Sequence, residues 1–406
     1  MANIGLNNNE TSANPGDETM HLVTVETAAV NVFFDGTLNN YFNVTAEEKK
    51  TGSASYANAL SNIAEMWMSL RRDDSVMAVY IEGVGSTQQQ PDNMMGAALA
   101  TGETGVLDRV HGAFPKLVDM VTEKRDGQGL PAMLDINVFG FSRGAAAARY
   151  FVHLTNTEPQ RFRLKSGWDK VLIRINFVGL FDTVASYGVA HWNDVSELHL
   201  NFGEKYAVKV FHVVAGDEYR ENFSLSTIAS AVGQQVSNNA GAQAMGYELR
   251  IPGAHSDVGG GYNATEREER DWGYDLQDFV YAQGWYKPED KQGRWGTTHL
   301  RQVKGEYAKV GLALMVDKAH EYSTIKFPPD LLDPPTDNDI KALRDTLREF
   351  AKDEKNTVWD LNEKMGAEKA QALRRQWLHV SFVMGSVANG PRLNAPDQPS
   401  RKYFEG

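Results

Sequence analysis

The chain has 406 residues, a formal net charge of −12 and no cysteine. This length accommodates two or three average domains, or one large α/β domain with insertions. The negative charge disfavours a nucleic-acid partner, because phosphate binding needs a concentrated basic face. It also argues against electrostatic attraction to anionic lipids. Without cysteine, the sequence excludes disulfides, thiolate metal sites and a cysteine nucleophile.

The first 28 residues, rich in Asn, Thr, Glu and Gly, predict a flexible N-terminal arm. They lack the basic start and apolar core of a signal peptide. No window of the chain reaches the roughly 18 apolar residues of a membrane span. We therefore expect synthesis in the cytoplasm, with any export by a route that reads the folded protein or a carrier.

Apolar strands and amphipathic helices alternate from residue 29 onward, which predicts an α/β fold. We predict strands over 29–34, 76–81, 133–139, 171–180, 207–214 and 247–251, and helices over 56–71, 106–124 and 307–322. Each strand ends in a polar loop, and a parallel sheet gathers its site from such loops. The prediction is a mostly parallel central sheet with helices on both faces.

Other segments predict additions to this core. Residues 88–105 contain Met94, Met95 and a run of small residues, and they are either a lid over the site or a solvent loop. Residues 263–300 are charged and aromatic, which indicates an inserted surface subdomain. We predict a catalytic domain over 29–325 and a C-terminal helical extension over 326–406 that packs on the core.

The strongest local motif lies at residues 136–149, where an apolar strand meets an alanine-rich helix through Gly140-Phe141-Ser142-Arg143-Gly144. In α/β-hydrolases this G-x-S-x-G pattern is the nucleophile elbow. The glycines allow a turn too tight for Cβ atoms, and the strained serine presents its hydroxyl above the sheet. The motif predicts Ser142 as a nucleophile and an α/β-hydrolase-like fold.

A serine nucleophile needs a base and an acid, and α/β-hydrolases present them in the order Ser, Asp or Glu, His. His255 follows a strand in a glycine-rich loop and is the preferred base, with His379 as the competitor late in the chain. Asp182 and Asp217 both follow strands between Ser142 and His255. Chain order alone leaves the choice of acid open.

The oxyanion hole is expected to use the backbone N–H of Arg143 and a second N–H from Gly36 or Thr37. Asp35 would then shape that loop. Asp35 and Asp257 could instead hold a hard cation, but no ligand spacing supports this. We predict neither a metal nor another cofactor.

Four motifs together resemble one α/β-hydrolase family. They are F-D-G-T-x-N at 34–39, G-F-S-R-G-A at 140–145, G-L-F-D-T-V at 179–184 and P-G-A-H-S-D-V-G-G-G-Y at 252–262. In this order they are similar to the catalytic domain of phospholipase effectors of the bacterial type VI secretion system, the lipase class with G-x-S-x-G. The resemblance covers residues 28–325.

The resemblance implies a serine phospholipase of A1 or A2 type that acts as an antibacterial effector. It implies Ser142 as nucleophile, His255 as base and Asp182 rather than Asp217 as acid. It further implies a phospholipid substrate at a membrane surface, action in the periplasm of target bacteria, secretion spike proteins and a cognate immunity protein. The alternatives are a housekeeping esterase for small soluble esters and a non-catalytic binding module with this fold.

Overall fold

The structure is a computed structural model that describes residues 25–99, 102, 104–185, 197–238, 241–273, 276–293, 297–333, 337–386 and 389–406. Most of the predicted N-terminal arm therefore lies outside the described residues. The first strand begins at Thr27, two positions before the predicted start of that strand at residue 29.

The strands are β1 Thr27–Phe34, β2 Met77–Ile81, β3 Met133–Phe141, β4 Leu172–Phe181, β5 Lys209–Ala215, β6 Leu225–Ser226, β7 Gln235–Asn238, β8 Gly241–Ala244, β9 Gly246–Ile251, β10 Thr265–Asp271, β11 Thr298–Lys304, β12 Leu393–Ala395, β13 Gln398–Pro399 and β14 Tyr403–Phe404. The α-helices are α1 Tyr41–Val44, α2 Ala54–Ala57, α3 Asn62–Leu70, α4 Met94–Leu99, α5 Val106–Lys124, α6 Arg143–Thr157, α7 Ala229–Val232, α8 His255–Gly259, α9 Gln277–Gln283, α10 Ala308–Tyr322, α11 Pro329–Leu332, α12 Asn338–Phe350, α13 Leu361–Met365 and α14 Ala367–Trp377. Short 3₁₀ turns occupy Pro159–Phe162, Trp168–Lys170, Pro288–Asp290 and Gly305–Tyr307.

The centre of the fold is a six-stranded sheet in the order β2-β1-β3-β4-β5-β9. Every neighbouring pair in this sheet is parallel. Such a sheet is covered on both faces, so its strands are apolar on both sides. In β1, Val30, Val32 and Phe34 pack with α5 and α6, whereas Phe33 packs with α3 and α10. The predicted α/β architecture is therefore confirmed.

The parallel register brings the functional loops to one edge of the sheet. Phe141, the last residue of β3, pairs with Phe181, the last residue of β4. Phe181 in turn pairs with Val213 in β5. Ser142 and Asp182, the next residues along β3 and β4, consequently begin adjacent loops. The loop after β9 leads at the same edge to His255.

Two segments differ from their predictions. The helix predicted over 56–71 is two helices, α2 and α3, because Ser61 accepts a hydrogen bond from the Ala64 N–H and caps a new start. The segment 88–105, expected to be a lid or a solvent loop, contains the short helix α4. By contrast, the helix predicted over 106–124 matches α5.

The added segments pack as follows. Residues 263–300 contain strand β10, helix α9 and the start of β11, which pairs antiparallel with β10. Trp272 and Trp285 form a separate apolar cluster there with Val380 and Phe382. Helices α12 and α14 add side chains to the cluster that covers the sheet beneath α10. The domain division at residue 325 stays a prediction.

Within the described part of the chain, no helix combines the length and apolarity needed to cross a bilayer.

Candidate active site

Ser142 occupies a sharp turn between β3 and α6. Its backbone has φ 58° and ψ −126°, a conformation that costs a non-glycine residue about 1–3 kcal/mol. Backbone hydrogen bonds hold the turn: the Ser142 N–H donates to the Phe181 carbonyl at 3.0 Å, and the Ser142 carbonyl accepts from the N–H groups of Ala145 at 3.0 Å and of Ala146 and Val184 at 3.3 Å. The local geometry is that of a nucleophile elbow.

The two glycines of the motif are required by close backbone contacts. A Cβ at Gly144 would lie 2.2 Å from the Asp35 carbonyl oxygen, and one at Gly140 would lie 2.6 Å from Ala145 Cα. No side chain fits at either distance. The elbow therefore packs directly against the loop after β1.

Asp182 and His255 form a buried hydrogen-bonded pair. Asp182 Oδ2 lies 2.5 Å from His255 Nδ1, and both side chains are almost completely buried. Such a bond fixes the ring orientation and leaves Nε2 as the nitrogen available to a nucleophile. Nε2 has no hydrogen-bond partner among the described residues, so Ser142 and His255 are not joined directly in this structure. Catalytic bonds of this kind often tighten only in the substrate complex.

Asp182 also contacts an arginine that sequence reasoning missed. Arg401 Nη1 lies 2.7 Å from Asp182 Oδ1, and Arg401 Nη2 lies 2.8 Å from Asp182 Oδ2. The Ala215 N–H donates to Oδ1 at 3.0 Å. Burial alone would raise the pKa of Asp182, but Arg401 and His255 hold it well below its ordinary value. Asp182 is thus a fully bonded carboxylate.

Asp217, the alternative acid, faces elsewhere. Its Oδ2 accepts the Gly253 N–H at 2.7 Å, and its Oδ1 lies 3.4 Å from the Tyr219 hydroxyl. Burial raises the pKa of Asp217 above its ordinary value. Asp217 therefore braces the loop that leads to His255.

The imidazole of His255 lies among aromatic and charged groups. The ring centroids of Phe141 and Phe223 lie 4.6 and 5.1 Å from it. The backbone N–H of His255 donates to Glu218 Oε2 at 3.3 Å, and Glu218 forms an ion pair with Arg220 at 2.8 Å. Burial lowers the pKa of His255 and Arg220 lowers it further, against the opposing effect of Asp182. The ring is therefore biased toward its neutral, basic form.

A second histidine–aspartate pair joins Asp257, two positions after His255, to the distant His379. His379 Nδ1 lies 2.7 Å from Asp257 Oδ1, and Tyr262 stacks on the His379 ring at 3.6 Å. His379 does not line the cavity that contains Ser142. His379, the competing base, thus belongs to a packing cluster.

The predicted oxyanion donors separate into two groups. The Gly36 N–H donates to Asp35 Oδ1 at 2.8 Å, so it is already engaged. The N–H groups of Thr37 and Arg143 have no acceptor among the described residues. Thr37 and Arg143 also line the cavity that contains Ser142, and Gly36 does not. Of the two loop residues, Thr37 is the one available to bind an oxyanion.

One cavity joins these groups. It has a volume of about 480 Å³, within the usual range for small-molecule sites. Ser142, His255 and Arg143 line it together with Met94, Ala97 and Phe223. Its wall also contains polar side chains such as Asn39, Arg220 and Glu266, and the serine and the histidine face the same space.

Asp35 organises the loop that carries Thr37. Its carboxyl accepts hydrogen bonds from Ser61 Oγ and Tyr80 Oη, both at 2.5 Å. Burial raises the pKa of Asp35 to about 6, although these bonds and the Gly36 N–H lower it.

Across the described ranges, no group of three or more His, Asp or Glu side chains has the geometry of a metal site.

The family described as "T6SS, Phospholipase effector Tle1-like, catalytic domain" matches residues 29–158 and 155–282. The chain belongs to this family. It is therefore a phospholipase effector of the type VI secretion system, and its catalytic domain is an ester hydrolase. No curated protein matches the chain.

Two solved structures are similar. The Tle1 effector bound to the VgrG spike of the type VI secretion system is 20% identical, with a TM-score of 0.58, and the match covers 94% of each chain. An uncharacterised protein from Pseudomonas aeruginosa is 19% identical, with a TM-score of 0.49, over 86% of this chain and 50% of that one. At this identity the first match establishes the fold, and it agrees with the predicted α/β-hydrolase-like architecture.

The buried Asp35 carboxyl generates a prediction about pH and stability. Its pKa is raised in the folded state, so its contribution to stability is present below pH 3.8 and is lost as the pH rises through about 6. In Asp35→Asn this loss is absent. Relative to the wild type, the unfolding free energy of Asp35→Asn should therefore gain up to about 3 kcal/mol between pH 4 and pH 7.

Urea unfolding at both pH values measures this difference. Asp73→Asn is the control, because Asp73 is exposed and Ser75 lowers its pKa by hydrogen bonding, so no such gain is expected. A constant difference between Asp35→Asn and wild type from pH 4 to pH 7 would contradict the assignment.

Proposed function

We propose that the protein is a serine-dependent phospholipase of A1 or A2 type, in which Ser142 attacks an acyl ester. His255 takes the Ser142 proton, and Asp182 orients His255 and stabilises its protonated form. The N–H groups of Arg143 and Thr37 bind the oxyanion. The observation that carries the proposal is the 2.5 Å Asp182–His255 bond beside a cavity that also exposes the strained Ser142.

The Arg143 side chain supports a phosphate-containing substrate. Its Nε donates to Thr37 Oγ1 at 2.7 Å, and its Nη1 donates to the Ala97 carbonyl. Both partners are neutral, and Arg143 forms no ion pair within the described part of the chain. Burial lowers the pKa of Arg143 to about 10. A guanidinium without an anionic partner at the wall of the cavity suits a phosphodiester, which binds arginine by paired hydrogen bonds.

Helix α4 is a candidate lid. Met94 and Met95 expose 61% and 69% of their surface, yet Met94 and Ala97 also line the cavity. The Arg143–Ala97 hydrogen bond ties this helix to the elbow. We propose that the methionines enter the lipid surface and that α4 then moves to admit an acyl chain.

The wider setting of the activity is proposed from the family and the solved relative. The Tle1 effector in that structure is bound to a VgrG spike, and we propose that a spike protein likewise carries this chain. The substrate would be membrane phospholipid in the periplasm of a target cell. Producing cells would then need an immunity protein, because sister cells exchange effectors.

The serine dependence has a direct test. Ser142→Ala should abolish labelling by a fluorophosphonate probe and reduce fatty-acid release from phospholipid vesicles by at least about 10³-fold, because the nucleophile is lost. The matched control is Ser256→Ala, since Ser256 is the other serine in the cavity. Labelling should persist in this control.

The same assay separates the alternatives. A housekeeping esterase would be labelled at Ser142 but would hydrolyse only soluble esters. A non-catalytic module would show neither labelling nor hydrolysis. Either result would overturn the phospholipase proposal.

The lid has its own test. Met94→Asp with Met95→Asp should reduce hydrolysis of phospholipid vesicles at least about 10-fold more than hydrolysis of a soluble short-chain ester, because charge opposes entry into the lipid surface. Leu164→Asp is the control, since Leu164 is 54% exposed but does not line the cavity. Equal losses on both substrates would contradict the proposed lid role of α4.

A further inference from the structure

Arg401 is the least expected group at the site. It lies 219 positions beyond Asp182 in the chain, and its side chain is 2% exposed. Its two Nη atoms contact the two oxygens of Asp182, which is the paired geometry that arginine forms with carboxylates. An arginine bound to the acid of a catalytic triad changes how strongly that carboxylate stabilises the protonated histidine.

Backbone pairing holds Arg401 in place. Strand β14, two residues later, pairs with β6, and Leu225 N–H donates to the Lys402 carbonyl at 2.9 Å. Strand β6 also contacts the loop after Asp182, where the Ser226 N–H donates to the Thr183 carbonyl at 3.0 Å. The three segments form a small ladder with Asp182 at one end and Arg401 at the other.

The guanidinium is further fixed by two carbonyls. Arg401 Nε donates to the Phe223 carbonyl at 2.9 Å, and Nη1 donates to the Ala215 carbonyl at 3.1 Å. Phe223 also packs its ring against His255. Arg401 therefore joins the loop after β5, the acid and the surroundings of the base.

We propose that Arg401 is a positioning residue of the triad, which fixes the Asp182 carboxylate and shares its charge, so that His255 stays neutral to lower pH than it would without the arginine. The inference rests on the proposed function, because it assigns Asp182 and His255 as acid and base. Its physical basis is that one carboxylate charge now faces two cations whenever His255 is protonated. The imidazolium thus receives less stabilisation and meets the repulsion of a second buried cation.

The other charges that face His255 do not replace this effect. Glu218 favours the imidazolium and Arg220 opposes it, but these two form an ion pair with each other. Asp257, on the same helix as His255, is bonded to His379. Asp182 with Arg401 is therefore the pair whose charge balance acts on the Nδ1 side of the ring.

The test is the pH dependence of fluorophosphonate labelling of Ser142, from pH 4.5 to 9. The labelling rate should rise with pH as His255 loses its proton, and we call this rise the acid limb of the profile. In the wild type the midpoint of the acid limb should lie below the ordinary histidine pKa of 6.5. Arg401→Gln should move this limb upward by about one pH unit, because one nearby cation is removed. Arg401→Lys keeps the charge, so its limb should stay at the wild-type pH while the labelling rate falls with the loss of the paired geometry.

Lys402→Gln is the matched control, since it removes the same charge from an exposed neighbour. Its limb should not move. An unmoved limb in folded Arg401→Gln, or equal shifts in Arg401→Lys and Arg401→Gln, would each overturn the proposal. Where Arg401→Gln fails to fold, Arg401→Lys still tests the proposal, because a wild-type labelling rate or a shifted limb in this variant would contradict it. Wild-type protein that is never labelled would instead overturn the proposed function.

Discussion

The buried carboxylate of Asp182 is the constraint on which the site depends. Removing an ion from water costs several kcal/mol, so this charge must have partners. It receives them from the Ala215 N–H in β5, from His255 at the start of α8 and from Arg401 beside β14. Three distant parts of the chain must fold together before the acid is stable. The same contacts orient the imidazole, so folding and the proposed chemistry share one set of bonds.

The strained backbone of Ser142 depends on the same sheet edge. The Phe181 carbonyl, one residue before the acid, accepts the Ser142 N–H, and the Val184 N–H, two residues after it, binds the Ser142 carbonyl. Gly144 lets the elbow touch the loop after β1. The elbow and the acid turn therefore support one another. The strain at the proposed nucleophile is offset by bonds to the segment that carries its proposed acid.

The sequence predicted what local patterns can encode. The elbow around Ser142, helix α5 and the order of parallel strands follow from glycine spacing and apolar periodicity. Arg401 was not predictable, because nothing in its own neighbourhood indicates a partner 219 positions away. Gly36 was expected as an oxyanion donor, but its N–H binds Asp35, a contact that depends on side-chain orientation. The choice between Asp182 and Asp217 needed the resemblance, since both aspartates follow strands in the same way.

Hydrolysis of phospholipid vesicles by Asp182→Asn and Asp217→Asn tests the central claim most directly. Both variants replace a carboxylate at the same sheet edge, and circular dichroism verifies that each is folded. The account predicts a loss of about 10⁴-fold in kcat for Asp182→Asn, because the histidine loses its acid, and less than about 10-fold for Asp217→Asn. The reverse pattern, with Asp182→Asn active and Asp217→Asn inactive, would contradict it.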